Sequence, residues 1–289
     1  MEAVQLDEGL AKKYRRLQER IRELGPMLIA FSGGVDSTLL AKVAHDVLGE
    51  DAMAVIADSE SLPRRELREA IRLAEEIGVR YRVVRARELE REEYAQNAPN
   101  RCYFCKTELF EQMGEVARQT GIRTIVYGAN RDDLGDYRPG MLAAKEFGVY
   151  APLLEVELGK EEIRALSKAL GLPTWDKPAF ACLSSRFPHG TRITREKLAQ
   201  VDAAEELLYE LGFRQFRVRH HEDAGLGWPI ARIEVPREEL SRLLDEEVRR
   251  RVVETFRELG YRYVTLDLEG FRSGSLTTPL LNLTRIERV

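Results

Sequence analysis

Phe31-Ser32-Gly33-Gly34-Val35-Asp36-Ser37-Thr38 constrains this chain more than any other stretch. It follows the apolar run Met27-Leu28-Ile29-Ala30, which reads as a short buried strand, and residues 38–44 then resume with apolar positions at helical spacing. The order is strand, glycine loop, helix. Glycines lack Cβ, so backbone N–H groups can close around an anion, and the following helix directs its positive N-terminal end at the same point. A phosphate site is therefore expected, with Ser32, Gly33, Gly34, Asp36, Ser37 and Thr38 as candidate contacts. No Gly-x-x-x-x-Gly-Lys-Ser/Thr occurs, and no Gly-x-Gly-x-x-Gly follows a strand, so the loop is not one of those two phosphate binders. A turn that merely joined a strand to a helix would need neither Asp36 nor the neighbouring hydroxyls.

Along the rest of the chain, residues 6–24 carry an apolar stripe ended by Gly25-Pro26, residues 52–57 read as a second buried strand ending at Asp58-Ser59, and residues 63–77 as a helix closed by Gly78. Strands at 81–84 and 124–127 flank a helix over 106–119. Such alternation predicts an α/β fold with a doubly wound parallel sheet, whose ligands collect at the carboxyl ends of the strands. Asp58 and the polar turn 128–140 fall there, and that turn holds Asp132, Asp133 and Asp136. Hard oxygen ligands beside a triphosphate suit Mg²⁺, so Asp36 with Asp132 or Asp133 is the candidate metal contact; solvated turn formers are the alternative reading.

After a helix over 160–170, residues 174–193 show little periodicity and concentrate Trp175, Phe180, Phe187 and His189, as an active-site loop would. Beyond it the pattern becomes α+β, with a helix at 194–211, strands at 213–218, 230–235 and 261–266, and one or two helices within 238–259. The expected boundary lies near Thr191, dividing a phosphate-loop domain, 1–190, from a smaller α+β domain, 191–289.

With 289 residues, a charged fraction of 33% and a net charge of −4, the chain lacks the global basic excess that advertises nucleic acid. No basic and apolar leader opens it and no apolar run approaches a membrane span, so a cytoplasmic protein without a membrane partner is expected. Three cysteines are an odd number and argue for reduced thiols. Cys102 and Cys105 precede the helix expected from Lys106, where its dipole with Arg101 and Lys106 favours thiolates. A lone Cys-x-x-Cys fits a redox pair or half a zinc site completed by His189, His220 or His221. Cys182 adds a third thiol in a loop expected at the same rim, and three thiolates without an obvious fourth ligand describe an iron–sulfur cluster with one open iron.

The Ser-Gly-Gly-Val-Asp-Ser loop resembles the pyrophosphate loop of the ATP-pyrophosphatase superfamily. Together with residues 100–106, 128–133 and 181–186, it resembles the LarE family, the ATP-dependent sulfur transferases that mature the nickel-pincer nucleotide cofactor of lactate racemase. The likeness runs from about Glu23 to Leu281. It implies that ATP adenylates a carboxylate of pyridinium-3,5-biscarboxylate mononucleotide, and that a sulfur nucleophile then displaces AMP to leave a thiocarboxylate. Members with only the cysteine matching Cys182 sacrifice its sulfur. Those that also match Cys102 and Cys105 are implied to hold a [4Fe–4S] cluster carrying exogenous sulfide, and this chain has all three. The family also implies a ring-like homo-oligomer, and a substrate site of arginines and acids near the second domain. Arg186 is a candidate there, as are Arg217 and Arg219, which share one strand face; Arg192, His220, Glu205, Glu234 and Trp175 are lesser ones. A tRNA thiolase of the same superfamily and a non-catalytic ATP and metal sensor are the other readings.

Overall fold

The computed structural model describes residues 6–135, 139–178, 180–272 and 275–276; Asp136 of the acidic turn lies outside them. The chain divides into two compact units, Met1–Arg91 with Asn100–Phe180, and Glu92–Pro99 with Ala181–Val289.

In the first unit, α1 (Glu8–Leu24) starts on Asp7, whose carboxylate accepts the Leu10 N–H at 2.8 Å. Then follow β1 (Met27–Ala30), α2 (Val35–Leu48), β2 (Ala52–Asp58), α3 (Arg64–Ile77) and β3 (Arg80–Arg85). The short α4 (Glu92–Ala95) belongs to the second unit. The first resumes with α5 (Arg101–Thr120), β4 (Thr124–Tyr127), α6 (Pro139–Glu146), α7 (Pro152–Glu155) and α8 (Lys160–Ala169). The sheet is parallel, in the order β3-β2-β1-β4.

All four residues of β1 are buried, and alternation sends them to opposite faces. Met27 and Ile29 pack in one cluster with Leu39 and Val43 of α2 and Ile163 and Leu166 of α8. Leu28 and Ala30 pack in another with Phe110 and Met113 of α5 and Ala143 and Ala144 of α6. Coverage of both faces is what a parallel sheet requires, and the expected doubly wound α/β architecture is present. Because β2 and β4 flank β1 on opposite sides, the strand order reverses at β1, and the loops after β1 and β4 open a crevice at its carboxyl end.

The second unit contains α9 (Arg195–Glu210), β5 (Arg217–Glu222), β6 (Pro229–Glu234), α10 (Glu246–Glu258) and β7 (Tyr263–Leu266). β5 and β6 are antiparallel, and β6 and β7 parallel. Val218, Ala231 and Ile233 face a core closed by Leu208 of α9 and Phe256 of α10.

Several local expectations shift. β5 begins at Arg217 because Phe213 still donates its N–H to the Leu208 carbonyl at the end of α9 and is buried, as is Phe216. Of the one or two helices expected within 238–259, two helical pieces form, divided at Asp245, which ends a 3-10 turn over Arg237–Leu244 and caps α10 by accepting the N–H groups of Glu247 and Val248. The second unit starts at Ala181, ahead of the expected Thr191, because Leu183, Ser184, Arg186 and Phe187 are buried within it. Residues 92–99 join it through Tyr94, whose hydroxyl lies 2.6 Å from Ser184 Oγ, and through Asn97, whose side chain donates to the Pro188 carbonyl at 2.8 Å.

His220 lies on the core side of β5, 1% exposed, its ring beside Phe187 and Tyr261. Burial pushes its pKa down to about 4 against an opposing pull from Glu222. An unfolded histidine titrates near ~6.5, so the unfolded chain takes the proton first. The contribution of neutral His220 is complete above that value and is lost as pH falls from there toward 4. H220F is expected to flatten the fall in urea-unfolding stability across this window; an unchanged slope would assign the acid loss to other groups.

Candidate functional site

Residues 32–34 leave β1 and enter α2 with Gly34 as its N-cap. Gly33 has φ +69°, and a Cβ there would stand 3.1 Å from Cα and Cβ of Ala70 on α3, so glycine is needed for both conformation and space. Ser37 Oγ accepts the Ser32 N–H at 3.3 Å, donates to the Gly34 carbonyl at 3.2 Å and lies 3.2 Å from Ser32 Oγ. Thr38 is fully buried, and its Oγ1 has no hydrogen-bond partner among the described residues. From the other side, Gly128 follows β4 so closely that a Cβ would lie 3.0 Å from the Ser37 nitrogen. The loop, the first turn of α2 and the end of β4 thus form a tight cradle of backbone, suited to an anion.

Charges surround this cradle in pairs. Asp36 accepts from Lys160 Nζ at 2.5 and 2.7 Å and from Asn130 Nδ2 at 3.3 Å. Asp132 accepts the Lys160 N–H at 2.7 Å and Asp133 the Asn130 N–H at 3.0 Å, so both act on backbone N–H groups. Asp58, at the end of β2, is paired with Arg64 at 2.5 Å. Lys177 Nζ lies 3.2 Å from the Gly33 carbonyl and 2.7 Å from Glu66. Lys160 and Lys177 are absent from the sequence expectation, and no local pattern announces them: they stand 124 and 144 residues from Asp36 and Gly33.

Cys102 and Cys105 do not precede their helix; α5 begins at Arg101, two residues beyond Pro99, and holds both thiols in its opening turns. Three positions apart, they share one side of the helix, Cys102 exposed and Cys105 half-buried. Cys182, half-buried, caps a 3-10 turn over Leu183–Arg186 in the second unit. None of the three is in a disulfide. Within neither unit do three His, Cys, Asp or Glu side chains of the described residues form a group able to hold a metal ion.

Arg186 is 0% exposed. Its Nε and one terminal nitrogen donate to the Glu205 carboxylate at 2.8 and 2.9 Å. The other terminal nitrogen donates to the carbonyls of Ala181 at 2.7 Å and Cys182 at 3.2 Å, and to Ser185 Oγ at 2.9 Å. The guanidinium, proposed from sequence as a substrate contact, thus clamps the Cys182 turn to α9. Burial opposes the charge on Glu205, but Arg186 outweighs it and holds the carboxyl below the usual range.

Arg217 and Arg219 share the polar face of β5, in register with Glu234 and Arg232 on β6. Arg219 donates to Glu234 at 2.8 Å and to the Ser185 carbonyl at 2.8 Å. Arg232 is shared between Glu234 and Asp267. Arg217 rests 5.0 Å from the Phe271 ring and has no ion pair within 4.0 Å among the described residues. Burial, with the charges of Arg186 and Arg219, pushes its pKa down to about 10. A guanidinium so placed favours an incoming anion. Of the histidines offered as zinc ligands, His220 is buried in the core of the second unit, His221 meets Arg232 at 3.1 Å and His189 faces the Asn97 carbonyl at 3.3 Å.

R186M leaves the Glu205 carboxylate buried without its partner. It is expected to lower the urea-unfolding stability of the second unit by about 3–5 kcal/mol, most of which R186M combined with E205M recovers. A mild loss in R186M alone would show that the pair is dispensable.

Comparison with known proteins bears on this geometry. Residues 12–123 match the NAD synthase family model, a stretch that includes the loop and cradle helix. The chain is 47% identical to an uncharacterised protein of Synechocystis sp., over 94% of this chain and 99% of that one. It is 27% identical to an uncharacterised protein of Methanocaldococcus jannaschii, over 91% of this chain and 97% of that one. It is 40% identical to the pyridinium-3,5-bisthiocarboxylic acid mononucleotide synthase of Lactiplantibacillus plantarum, over 94% of this chain and 96% of that enzyme. A likeness of that extent, spanning both units, makes this chain a member of the LarE family, built on a pyrophosphate-loop α/β domain.

Proposed function

We propose that the chain is an ATP-dependent sulfur transferase acting on pyridinium-3,5-biscarboxylic acid mononucleotide. The observation that carries this reading is the backbone cradle formed by Gly33, the start of α2 and Gly128 at the strand reversal. The substrate is inferred from the name of the Lactiplantibacillus plantarum relative.

In the first step a substrate carboxylate oxygen attacks the α-phosphorus of ATP, and pyrophosphate leaves into the cradle, where backbone N–H groups and the hydroxyls of Ser32 and Ser37 take up its charge. The carboxylate, a poor acyl donor, becomes an acyl adenylate with a good leaving group. In the second step a sulfur nucleophile attacks the acyl carbon, AMP departs with the carboxylate oxygen, and a thiocarboxylate remains. Asp36 is the residue that would hold Mg²⁺ against the phosphates. One protein carboxylate is a usual complement for that ion beside a triphosphate, and Asp132 and Asp133, occupied with backbone N–H groups, are its outer neighbours. Asp58, at the end of β2, would contact the nucleotide.

Cys102, Cys105 and Cys182 suit a [4Fe–4S] cluster by donor chemistry: three thiols outside disulfides, two of them one helical turn apart. When bound, such a cluster supplies an open iron for sulfide from an external sulfur donor. Arg217 and Arg219 hold the substrate phosphate, supported by the unpaired state of Arg217 among the described residues. The protein works in the cytoplasm as a homo-oligomer, with exposed Leu226, Leu244 and Leu268 of the second unit available for self-association. Among the described residues no helix is long and apolar enough to cross a membrane.

The wild-type protein, given ATP, Mg²⁺, sulfide and the pyridinium nucleotide, is expected to release pyrophosphate and to exchange a carboxylate oxygen for sulfur in the mass spectrum. C182A is expected to keep pyrophosphate release and lose the thiocarboxylate. R217M is expected to raise the KM for the nucleotide about tenfold or more, one charge-assisted contact being worth that much. Absence of pyrophosphate release in the wild type overturns the adenylation.

A further inference from the structure

Lys177 sits on the pyrophosphate loop without being part of it. Its ammonium is 3.2 Å from the Gly33 carbonyl and 2.7 Å from Glu66 at the start of α3. The two side chains are only 20% and 11% exposed, so this is no loose surface pair.

The segment that carries Lys177 is already secured without that pair. Arg164 of α8 donates to the carbonyls of Trp175 at 2.6 Å and Lys177 at 2.9 Å. The Lys168 ammonium stands 4.5 Å from the centre of the Trp175 ring, and the Lys177 N–H donates to the Thr174 carbonyl at 3.0 Å. Backbone anchoring thus leaves the Lys177 stem free to swing about a fixed root. An ammonium has three donors on a flexible four-carbon stem, and Glu66 and Gly33 account for two of them.

Gly33 also limits where an anion can lie. The side on which its Cβ would point is filled by Ala70, so the phosphates occupy the opposite side, toward the first turn of α2. Lys160 is tied there to both oxygens of Asp36, whereas the Lys177 ammonium is ion-paired with one oxygen of Glu66, with the Glu69 charge nearby. Two or more phosphate charges against one carboxylate charge at comparable range favour transfer of the ammonium.

We propose that Lys177 is a phosphate contact of the ATP site, its ammonium passing from Glu66 to the bound triphosphate while the Gly33 carbonyl guides it. This rests on the reading of residues 32–38 as an ATP site. Glu66 then acts as a competitor that tunes nucleotide affinity.

Calorimetric binding of ATP, inorganic pyrophosphate and AMP to the wild type, K177M, K177R and E66Q tests this, with thermal unfolding of each variant run alongside. K177M is expected to weaken ATP and pyrophosphate about tenfold or more while leaving AMP nearly unchanged, as loss of one charged contact to the outer phosphates would. K177R restores most of the loss. E66Q, by removing the competing carboxylate, tightens ATP and pyrophosphate several-fold, a gain that a merely structural ion pair would not produce. Parallel weakening of AMP and ATP in K177M, or unchanged or weaker ATP binding in E66Q, overturns the proposal. If K177M does not fold, E66Q decides alone by the same criterion. A wild type that binds neither ATP nor pyrophosphate overturns the ATP reading and Lys177 with it, whereas equal binding by wild type and K177M overturns Lys177 alone.

Discussion

The close approach of three backbone segments around the first turn of α2 is the constraint on which the rest of the first unit depends. Gly33 must turn with positive φ against Ala70, and Gly128 must bring the end of β4 so near that a Cβ on it would stand 3.0 Å from the Ser37 nitrogen. A side chain at either position would separate the strand ends from the helix and open the cradle. Buried β1, packed on both faces, supplies the rigidity that lets so tight a junction persist.

Around that junction the protein neutralises its own charges through α8. Lys160 at the head of this helix holds Asp36, its backbone N–H is held by Asp132, and Arg164 one turn on fastens the segment bearing Lys177. One short helix thereby positions groups from separate parts of the chain. The carboxylates proposed to face a metal, Asp36, Asp132 and Asp133, accept from a lysine and from backbone N–H groups, which keeps the acidic turn in one shape.

The second unit does the opposite: its charges are buried. Arg186 and Glu205 are fixed bidentately and almost wholly out of water, and the other terminal nitrogen of the guanidinium grips the Ala181 and Cys182 carbonyls at the start of the Cys182 turn. Desolvation would make such a pair unfavourable by itself, and its geometry suits specification of one loop conformation more than added stability. On the neighbouring strand face Arg217 lacks a carboxylate of its own among the described residues, so positive charge is concentrated where Arg219 and Arg232 are already committed.

Much of the first unit was legible because its signals are local. The apolar run 27–30, the glycine pair and the helical spacing after it specify strand, loop and helix with no information from elsewhere in the chain, and the alternation of elements implies a parallel sheet. The second unit was read less sharply where local and tertiary demands disagree: Phe213 and Phe216 look like a strand but are drawn into the core at the end of α9. By itself the sequence determined the glycine loop between β1 and α2, the thiols and the fold class, since each rests on residue type and short spacing. Only the tertiary structure decided that Arg186 is a buried clamp, that Asp36 is paired with Lys160, and that Lys177 reaches the loop. Such partners lie on different elements and meet through packing, and packing leaves no periodic trace in the sequence.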